Sequence, residues 1–242
     1  MIPYRDFTYP LNVFMHILTH EEGEVRYLHY GLFERPDESI AAAQERSTEL
    51  LLSRLPPPPA RLLEAGAGLG TTLERLTRLG YDAQGITPDE KQVAMAGGRV
   101  VLSSFEAFEG GPFDVIVFQE SSQYIDSEAL FAKARTLAPR VLVLDEFAAQ
   151  PLDEPGALHT LEAFLRAAAA NGFRVTEDLD LTAKAAPTID YFRVRYPRYR
   201  DALLSELGLT GQQVDDLMSG AERYSSRYRS GVYAYRLLDL VR

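Results

Sequence analysis

Residues 60–71 read Ala60-Arg61-Leu62-Leu63-Glu64-Ala65-Gly66-Ala67-Gly68-Leu69-Gly70-Thr71, and the punctuation of this stretch decides the fold. Leu62 and Leu63 form a short apolar run between the prolines Pro56–Pro59 and three glycines. The pattern predicts a buried strand, a tight turn and a helix opening at Thr71. Glycines at 66, 68 and 70 let the backbone approach a ligand closely, where amide N–H groups and a helix N-terminus point outward. The spacing is G-x-G-x-G, not the G-x-G-x-x-G of dinucleotide-binding turns. Glu64, at the strand end, suits a ligand bearing an ammonium or hydroxyl better than one bearing a pyrophosphate. By itself a glycine triplet is equally a plain turn, so the flanking sequence has to decide.

Downstream the pattern alternates. Strand 60–65 is followed by helix 71–79, closed by Gly80. Strand 81–86 leads to helix 89–97, ended by Gly97-Gly98. Strands 99–103 and 113–119 follow, then helix 127–137 before Pro139, strand 140–145, helix 156–170 and strand 173–181. The run Gly231–Leu240 reads as a final strand, with an antiparallel pairing open to it. Such βαβ repetition predicts a Rossmann-like α/β fold: a doubly wound, mostly parallel seven-stranded sheet with helices on both faces. Upstream, residues 11–19 read as a short apolar helix, with a polar turn through Glu21-Glu22-Gly23-Glu24. The aromatic stretch Arg26–Phe33 comes next, then a helix over 37–54 with Pro36 or Asp37 near its start. Residues 187–229 break the alternation with a Tyr/Arg-rich stretch, followed by helical periodicity over Leu203–Leu217. The expectation is one domain, 1–242, with an N-terminal helical cap (1–55), a core (60–186), a lid insertion (187–229) and a final strand (230–242).

Composition narrows the function. A chain of 242 residues with 46% hydrophobic content supports a full core, and no apolar run approaches the ~20 residues that span a bilayer. The absence of cysteine excludes disulfides and thiolate metal sites. A net charge of −10 argues against nucleic acid, whose phosphates need a basic face. The arginine cluster Arg193–Arg200 is short and rich in aromatics. The N-terminus lacks the pattern of a signal peptide, so a cytoplasmic location is expected.

In a doubly wound sheet, ligands sit at the carboxyl ends of the strands. Those ends collect Glu64–Gly70, Ile86-Thr87, Ser103-Ser104-Phe105-Glu106, Gln119-Glu120 and Asp145-Glu146, whereas the strand bodies are apolar. Independent positions agree on a ligand site.

Glu64-Ala65-Gly66-Ala67-Gly68-Leu69-Gly70 resembles the first motif of class I S-adenosylmethionine-dependent methyltransferases. Within them, the pattern is similar to the cyclopropane-fatty-acid synthases and the sterol and prenyl-diphosphate C-methyltransferases. Gly85–Gln92 resembles their G-[ILV]-T-x-S-x-x-Q stretch, and Val101–Phe108 their adenine-site segment. Phe118-Gln119-Glu120-Ser121-Ser122-Gln123-Tyr124 resembles the x-N-E-S-x-x-Y form of prenyl-diphosphate C-methyltransferases, as does the C-terminal Tyr228–Tyr235. The resemblance covers roughly residues 25–185 and the last strand, and is more specific in the cofactor half. There are two departures. Thr87 stands where most class I enzymes have an acidic residue for the ribose hydroxyls, so Thr87 and Gln92 would share that role. Cyclopropane synthases have a Glu-His pair where this chain has Gln123-Tyr124, and a cysteine that this chain lacks. Their bicarbonate-type base is therefore not carried over, and cyclopropanation is not expected.

The resemblance implies S-adenosyl-L-methionine as cofactor, S-adenosyl-L-homocysteine as product and a small-molecule substrate, with a homodimer left open. The implied cofactor residues are Tyr30, Glu64, Gly66, Ala67, Gly68, Gly70, Thr71, Ile86, Thr87, Gln92, Ser104, Phe105, Glu106 and Gln119. Glu64 would answer the methionine ammonium, and Glu106, beside Phe105, the exocyclic amine of adenine; Phe105 is otherwise plain core. Glu120, Tyr30 and Tyr124 are the catalytic candidates. Glu120, just past a buried strand, suits proton abstraction, or else caps the next helix together with Ser121 or Ser122. Tyr30 would offer a cation its ring face, or staple the N-terminal helix. Asp145-Glu146 would line the pocket or pair with surface arginines. The tyrosines between 191 and 235 read as lid, pocket wall or core, and the arginines among them as an anion site or solvated charge. His16 and His20 are four apart, but no third ligand is evident, so no metal site is assigned. The expected reaction is C-methylation of an alkene, isoprenoid or other activated carbon in natural-product or lipid metabolism. N- or O-methylation, or cofactor binding without catalysis, are the alternatives.

Overall fold

The computed structural model describes residues 4–35, 37–154 and 156–242. Pro36, read above as a helix start, and Met1–Pro3 of the N-terminal reading lie outside the described residues. Seven strands make one sheet: β1 (Arg61–Ala65), β2 (Asp82–Thr87), β3 (Val100–Leu102), β4 (Val115–Gln119), β5 (Arg140–Ala148), β6 (Arg174–Asp180) and β7 (Tyr233–Val241). Their order is β3-β2-β1-β4-β5-β7-β6. β7 runs antiparallel to both neighbours, and the remaining pairs are parallel. From β1 the chain steps outward to β2 and β3, then returns to β4 and steps the other way to β5. The order therefore reverses between β1 and β4, which is where a doubly wound sheet opens a crevice.

Ten helices are described: α1 (Leu11–Glu22), α2 (Ile40–Leu52), α3 (Thr71–Arg78), α4 (Glu90–Met95), α5 (Ser127–Leu137), α6 (Leu161–Ala170), α7 (Thr182–Ala185), α8 (Pro187–Arg193), α9 (Tyr196–Ser205) and α10 (Gly211–Arg229). α3 and α4 pack on one face of the sheet and α5 and α6 on the other. On the first face, Leu73 of α3 packs with Ala67, Ala96 and Val100. On the second, Leu130 and Phe131 of α5 and Phe164 of α6 join Leu63, Ile116, Phe118, Val141 and Val143, alternate residues of three strands.

The chain forms two compact units. The sheet and its helices make one, from Thr48 to Thr182 with Val232–Arg242. Residues up to Ser47 join Ala183–Gly231 in the other. In this second, helical unit, Val13, Ile17 and Ile40 share a core with Tyr191, Leu203 and Val214.

Several local readings are corrected. α1 runs three residues past the expected helix, because Glu21 and Glu22 continue it until Gly23 (φ 83°) closes the last turn on the Thr19 carbonyl. α6 starts at Leu161 rather than 156. Thr160 caps it by accepting from the Ala163 amide, while the preceding segment is held extended by Ala148 N–H donating to the His159 carbonyl. β5 continues three residues past 145, because β7 pairs with it along its whole length, from Arg140–Val241 to Ala148–Tyr233. Asp145 and Glu146 therefore lie inside a strand. The periodicity over Leu203–Leu217 is two helices. Gly208 (φ 68°) breaks it, and Thr210 with Gln213 forms a capping box that restarts it.

Candidate functional site

The strand ends of the sheet unit bring most of the expected residues together. β1 and β4 pair with Glu64 opposite Val117, so the period of two puts Glu64 and Gln119 on the same face. Glu64 is 4% exposed and Gln119 8%. Glu64 Oε2 and both amide atoms of Gln119 are buried without a hydrogen-bond partner. Burial pushes the Glu64 carboxyl up to about 8. Buried polar atoms are almost always paired in folded proteins, and these three on adjacent strand ends lack a partner within the chain.

The glycine turn beside them is held from within. The Gly66 and Ala67 amides both donate to the Ile86 carbonyl at 2.9 Å, and the Gly70 amide donates to Ala67 at 2.8 Å. These three N–H groups do not point outward, contrary to the sequence reading. Gly66 (φ +80°) has a second reason to be glycine: a Cβ there would sit 2.3 Å from Ser121 Cβ. That contact packs the β1 turn against the β4 turn, and Ser121 Oγ donates to the Ala65 carbonyl at 2.5 Å. Gly85 is close-packed too, with Ala67 Cβ and a Leu73 methyl each 2.8 Å from where its Cβ would be. Gly68 (φ 54°) and Gly70 (φ 76°) complete the left-handed turn, and Thr71 opens α3.

At the end of β2, Ile86 is core and Thr87, 2% exposed, donates to Gln92 Oε1 at 2.7 Å. Asp89 caps α4 by accepting from the Lys91 and Gln92 amides, which fixes Gln92 against Thr87. After β3, Ser104 Oγ accepts from the Ala107 amide. Phe105 is 4% exposed, its ring edge-on to Phe118 at 5.0 Å within the core, and Glu106 is exposed.

After β4 the backbone turns sharply. Glu120 has φ 55°, the only non-glycine residue with positive φ among those described. That region costs an L-residue roughly 1 kcal/mol, and such strain clusters at working sites. Contacts from β5 and β7 hold the conformation. The Glu120 amide donates to the Leu144 carbonyl, and Tyr235 Oη donates to Glu120 Oε1 at 2.6 Å. Tyr235 is fully buried, and its phenol is pushed well above its usual range by burial first and the Glu120 charge second, so it stays a donor. Asp145 is also fully buried, and its partners are backbone amides and Ser122 rather than a surface arginine. Its Oδ2 accepts from Ser122 N, Ser122 Oγ and Gln123 N, and its Oδ1 from the Glu146 amide. Burial raises its carboxyl, and these bonds oppose the rise. The Asp145 carboxylate thus fastens the 122–124 turn that follows Glu120. Tyr124, on that turn, is 80% exposed.

Tyr30 belongs to the helical unit, its ring 6.5 Å from that of Tyr228. Next to it, His29 is held near 4 by burial, so its imidazole is neutral, and its Nδ1 meets the Tyr30 carbonyl at 2.9 Å. Four arginines of this unit have carboxylate partners: Arg195 and Arg198 meet Glu21, Arg193 meets Asp190 and Glu222, and Arg200 meets Asp215. These ion pairs help to build the unit. Tyr191, Tyr196, Tyr228, Tyr233 and Tyr235 are buried.

Two placements escaped the sequence reading. Tyr235 is one of several tyrosines in a strand pattern, and only the sheet order brings it to Glu120. Glu206 joins His16 and His20, with ligand atoms of the three side chains within 4.8 Å of one another. Among the described residues, no helix is long and apolar enough to cross a membrane.

No protein-family model and no curated protein matches the chain. Solved structures do match in fold. The cyclopropane synthase MmaA2 from Mycobacterium tuberculosis has a TM-score of 0.78 at 20% identity, over 89% of this chain and 90% of that one. A geranyl diphosphate methyltransferase in complex with SAM has a TM-score of 0.68 at 21% identity, over 89% and 98%. The StiE O-MT structure, residues 942–1257, has a TM-score of 0.71 at 18% identity, over 90% and 87%. At these identities the likeness is one of fold, and function has to be argued from the site.

Proposed function

We propose that this chain is an S-adenosylmethionine-dependent methyltransferase that methylates a small molecule at carbon, in isoprenoid, lipid or natural-product metabolism. The observation that carries the reading is the orphaned set, Glu64 Oε2 with both amide atoms of Gln119, beside the glycine turn at the β1–β4 reversal. An α-amino acid moiety satisfies such a set: its ammonium answers Glu64, and polar atoms near it answer Gln119. The Thr87–Gln92 pair meets vicinal hydroxyls, and Phe105 with Glu106 the adenine. When bound, S-adenosylmethionine supplies an electrophilic methyl group on a sulfonium. With that methyl delivered to a carbon nucleophile, Glu120 would accept the proton that the methylated carbon skeleton loses. Support from the neighbours is limited to fold, one of them holding SAM.

One observation favours a second reading, N- or O-methylation. The Glu120 carboxylate is held by Tyr235 in a strained turn, which equally suits a residue that only orients its surroundings. Transfer to a heteroatom needs little beyond positioning and desolvation.

The test has two stages. Calorimetry with S-adenosylhomocysteine should give one site on the wild-type chain; the absence of binding would overturn the reading. Labelled methyl transfer is then measured against prenyl diphosphates, unsaturated lipids, amines and phenols. Label in a new C–C bond supports the first reading, and label on nitrogen or oxygen the second.

A further inference from the structure

The helical unit contains a donor set that the proposed methyl transfer does not use. His16 and His20 are one turn apart on α1, their ring centroids 4.4 Å apart. Glu206 follows the last residue of α9 and caps that helix. One ligand atom from each side chain lies within 4.8 Å of the other two.

Two further observations separate this set from a chance cluster. His16 is fully buried, and its Nε2 has no hydrogen-bond partner. Its other ring nitrogen, Nδ1, is engaged, 3.1 Å from Tyr4 Oη. A histidine held at one nitrogen by an oxygen partner, with the other nitrogen bare, is arranged as metal-ligating histidines are. By contrast, His20 and Glu206 are exposed. Among the described residues, no hydrogen bond or ion pair holds either side chain.

We propose that His16 Nε2, His20 and Glu206 form a binding site for a divalent transition metal of the zinc type. Two imidazoles and one carboxylate are donors of the right hardness for Zn²⁺, whereas Mg²⁺ and Ca²⁺ prefer sets made of oxygen. Tetrahedral ligands around zinc stand about 3.4 Å apart, given bonds of about 2.0–2.2 Å. Rotation of the two exposed side chains toward the fixed His16 closes the present spacing. Nδ1–H of His16 donates to Tyr4, which leaves the Nε2 lone pair for the ion, and water takes the fourth position on the exposed side. The ion joins α1 to the end of α9, two elements that already share the core of Val13, Ile17 and Leu203. It acts as a staple of the helical unit, since metal binding free energy adds to folding.

The experiment uses the full chain without an affinity tag, stripped with chelator. Calorimetry with Zn²⁺ should give one tight equivalent, and Co²⁺ should give the visible absorption of a tetrahedral nitrogen–oxygen site. His20→Ala and Glu206→Ala lie at the surface and should fold. Each should lower Zn²⁺ affinity on the order of 100-fold and abolish the rise in melting temperature that zinc gives the wild type. Tyr4→Phe should weaken binding about tenfold, as loss of an outer-shell partner does. No stoichiometric Zn²⁺ binding to the folded wild type would overturn the proposal. So would binding that His20→Ala and Glu206→Ala leave unchanged, since the ion would then sit among the other carboxylates of this acidic chain.

Discussion

The buried carboxyl of Glu64 makes a prediction that needs no substrate. Its folded-state value of about 8 stands above the ordinary 4.5, because burial at 4% exposure disfavours the charge. The folded protein therefore holds this proton more tightly than the unfolded chain does. The stability this group contributes is fully present below about pH 4.5 and is lost as pH rises through about 8. At about 1.4 kcal/mol for each tenfold difference in proton affinity, the span between 4.5 and about 8 is worth roughly 5 kcal/mol, of which about 3 falls between pH 5 and pH 8. Glu64→Gln keeps the volume and removes the titration. Urea unfolding of both proteins at the two pH values isolates the term, because other titrating groups cancel in the difference. Stability of the wild type relative to the variant should fall by about 3 kcal/mol from pH 5 to pH 8. A change below about 1 kcal/mol would mean that the carboxylate is ionised in the folded protein without a ligand, and would remove the physical basis for assigning it an ammonium. The same group links to binding. At pH 7, a ligand ammonium that ionises Glu64 releases a proton, so the heat of S-adenosylhomocysteine binding should change with the ionisation enthalpy of the buffer.

Two further outcomes are expected at the neighbouring turns. Gly66→Ala should destabilise the fold by about 2–4 kcal/mol, from the positive φ and the clash with Ser121, as read by urea unfolding; a loss under 1 kcal/mol would show that the two turns are not packed as described. Glu120→Gln should leave S-adenosylhomocysteine affinity unchanged while turnover on a carbon acceptor falls by a factor on the order of 100. Retained turnover would assign Glu120 to positioning through Tyr235 and favour a heteroatom acceptor.

How much of this was legible in the sequence depended on the range of the interactions involved. Strands, turns and the glycine stretch follow from local pattern. Apolar runs such as Val115–Phe118 and Val141–Leu144 bury a continuous set of side chains, and glycines at 66, 68 and 70 supply the left-handed turn that ordinary residues avoid. Helix ends were less legible where a cap or a pairing partner sets them, as with Thr160, with the Thr210–Gln213 box, and with β7 extending β5 to Ala148. The candidate site divides in the same way. Glu64, Thr87, Gln119 and Glu120 could be found because strand ends are readable, and the fold needs their neighbours to be apolar. That Glu64 and Gln119 lack partners, that Asp145 fastens the turn after Glu120, and that Tyr235 holds its carboxylate are facts of tertiary structure. They depend on how the fold places residues 55, 23 and 115 positions apart. The same holds for the helical unit. Its two halves are separated in sequence by the residues of the sheet unit, and Glu206 reaches His16 and His20 only because burial of Val13, Ile17 and Leu203 in one core brings α1 and α9 together. Local sequence fixes conformation through nearest-neighbour sterics and periodic burial, whereas the partner of a buried polar group is chosen by packing across the chain.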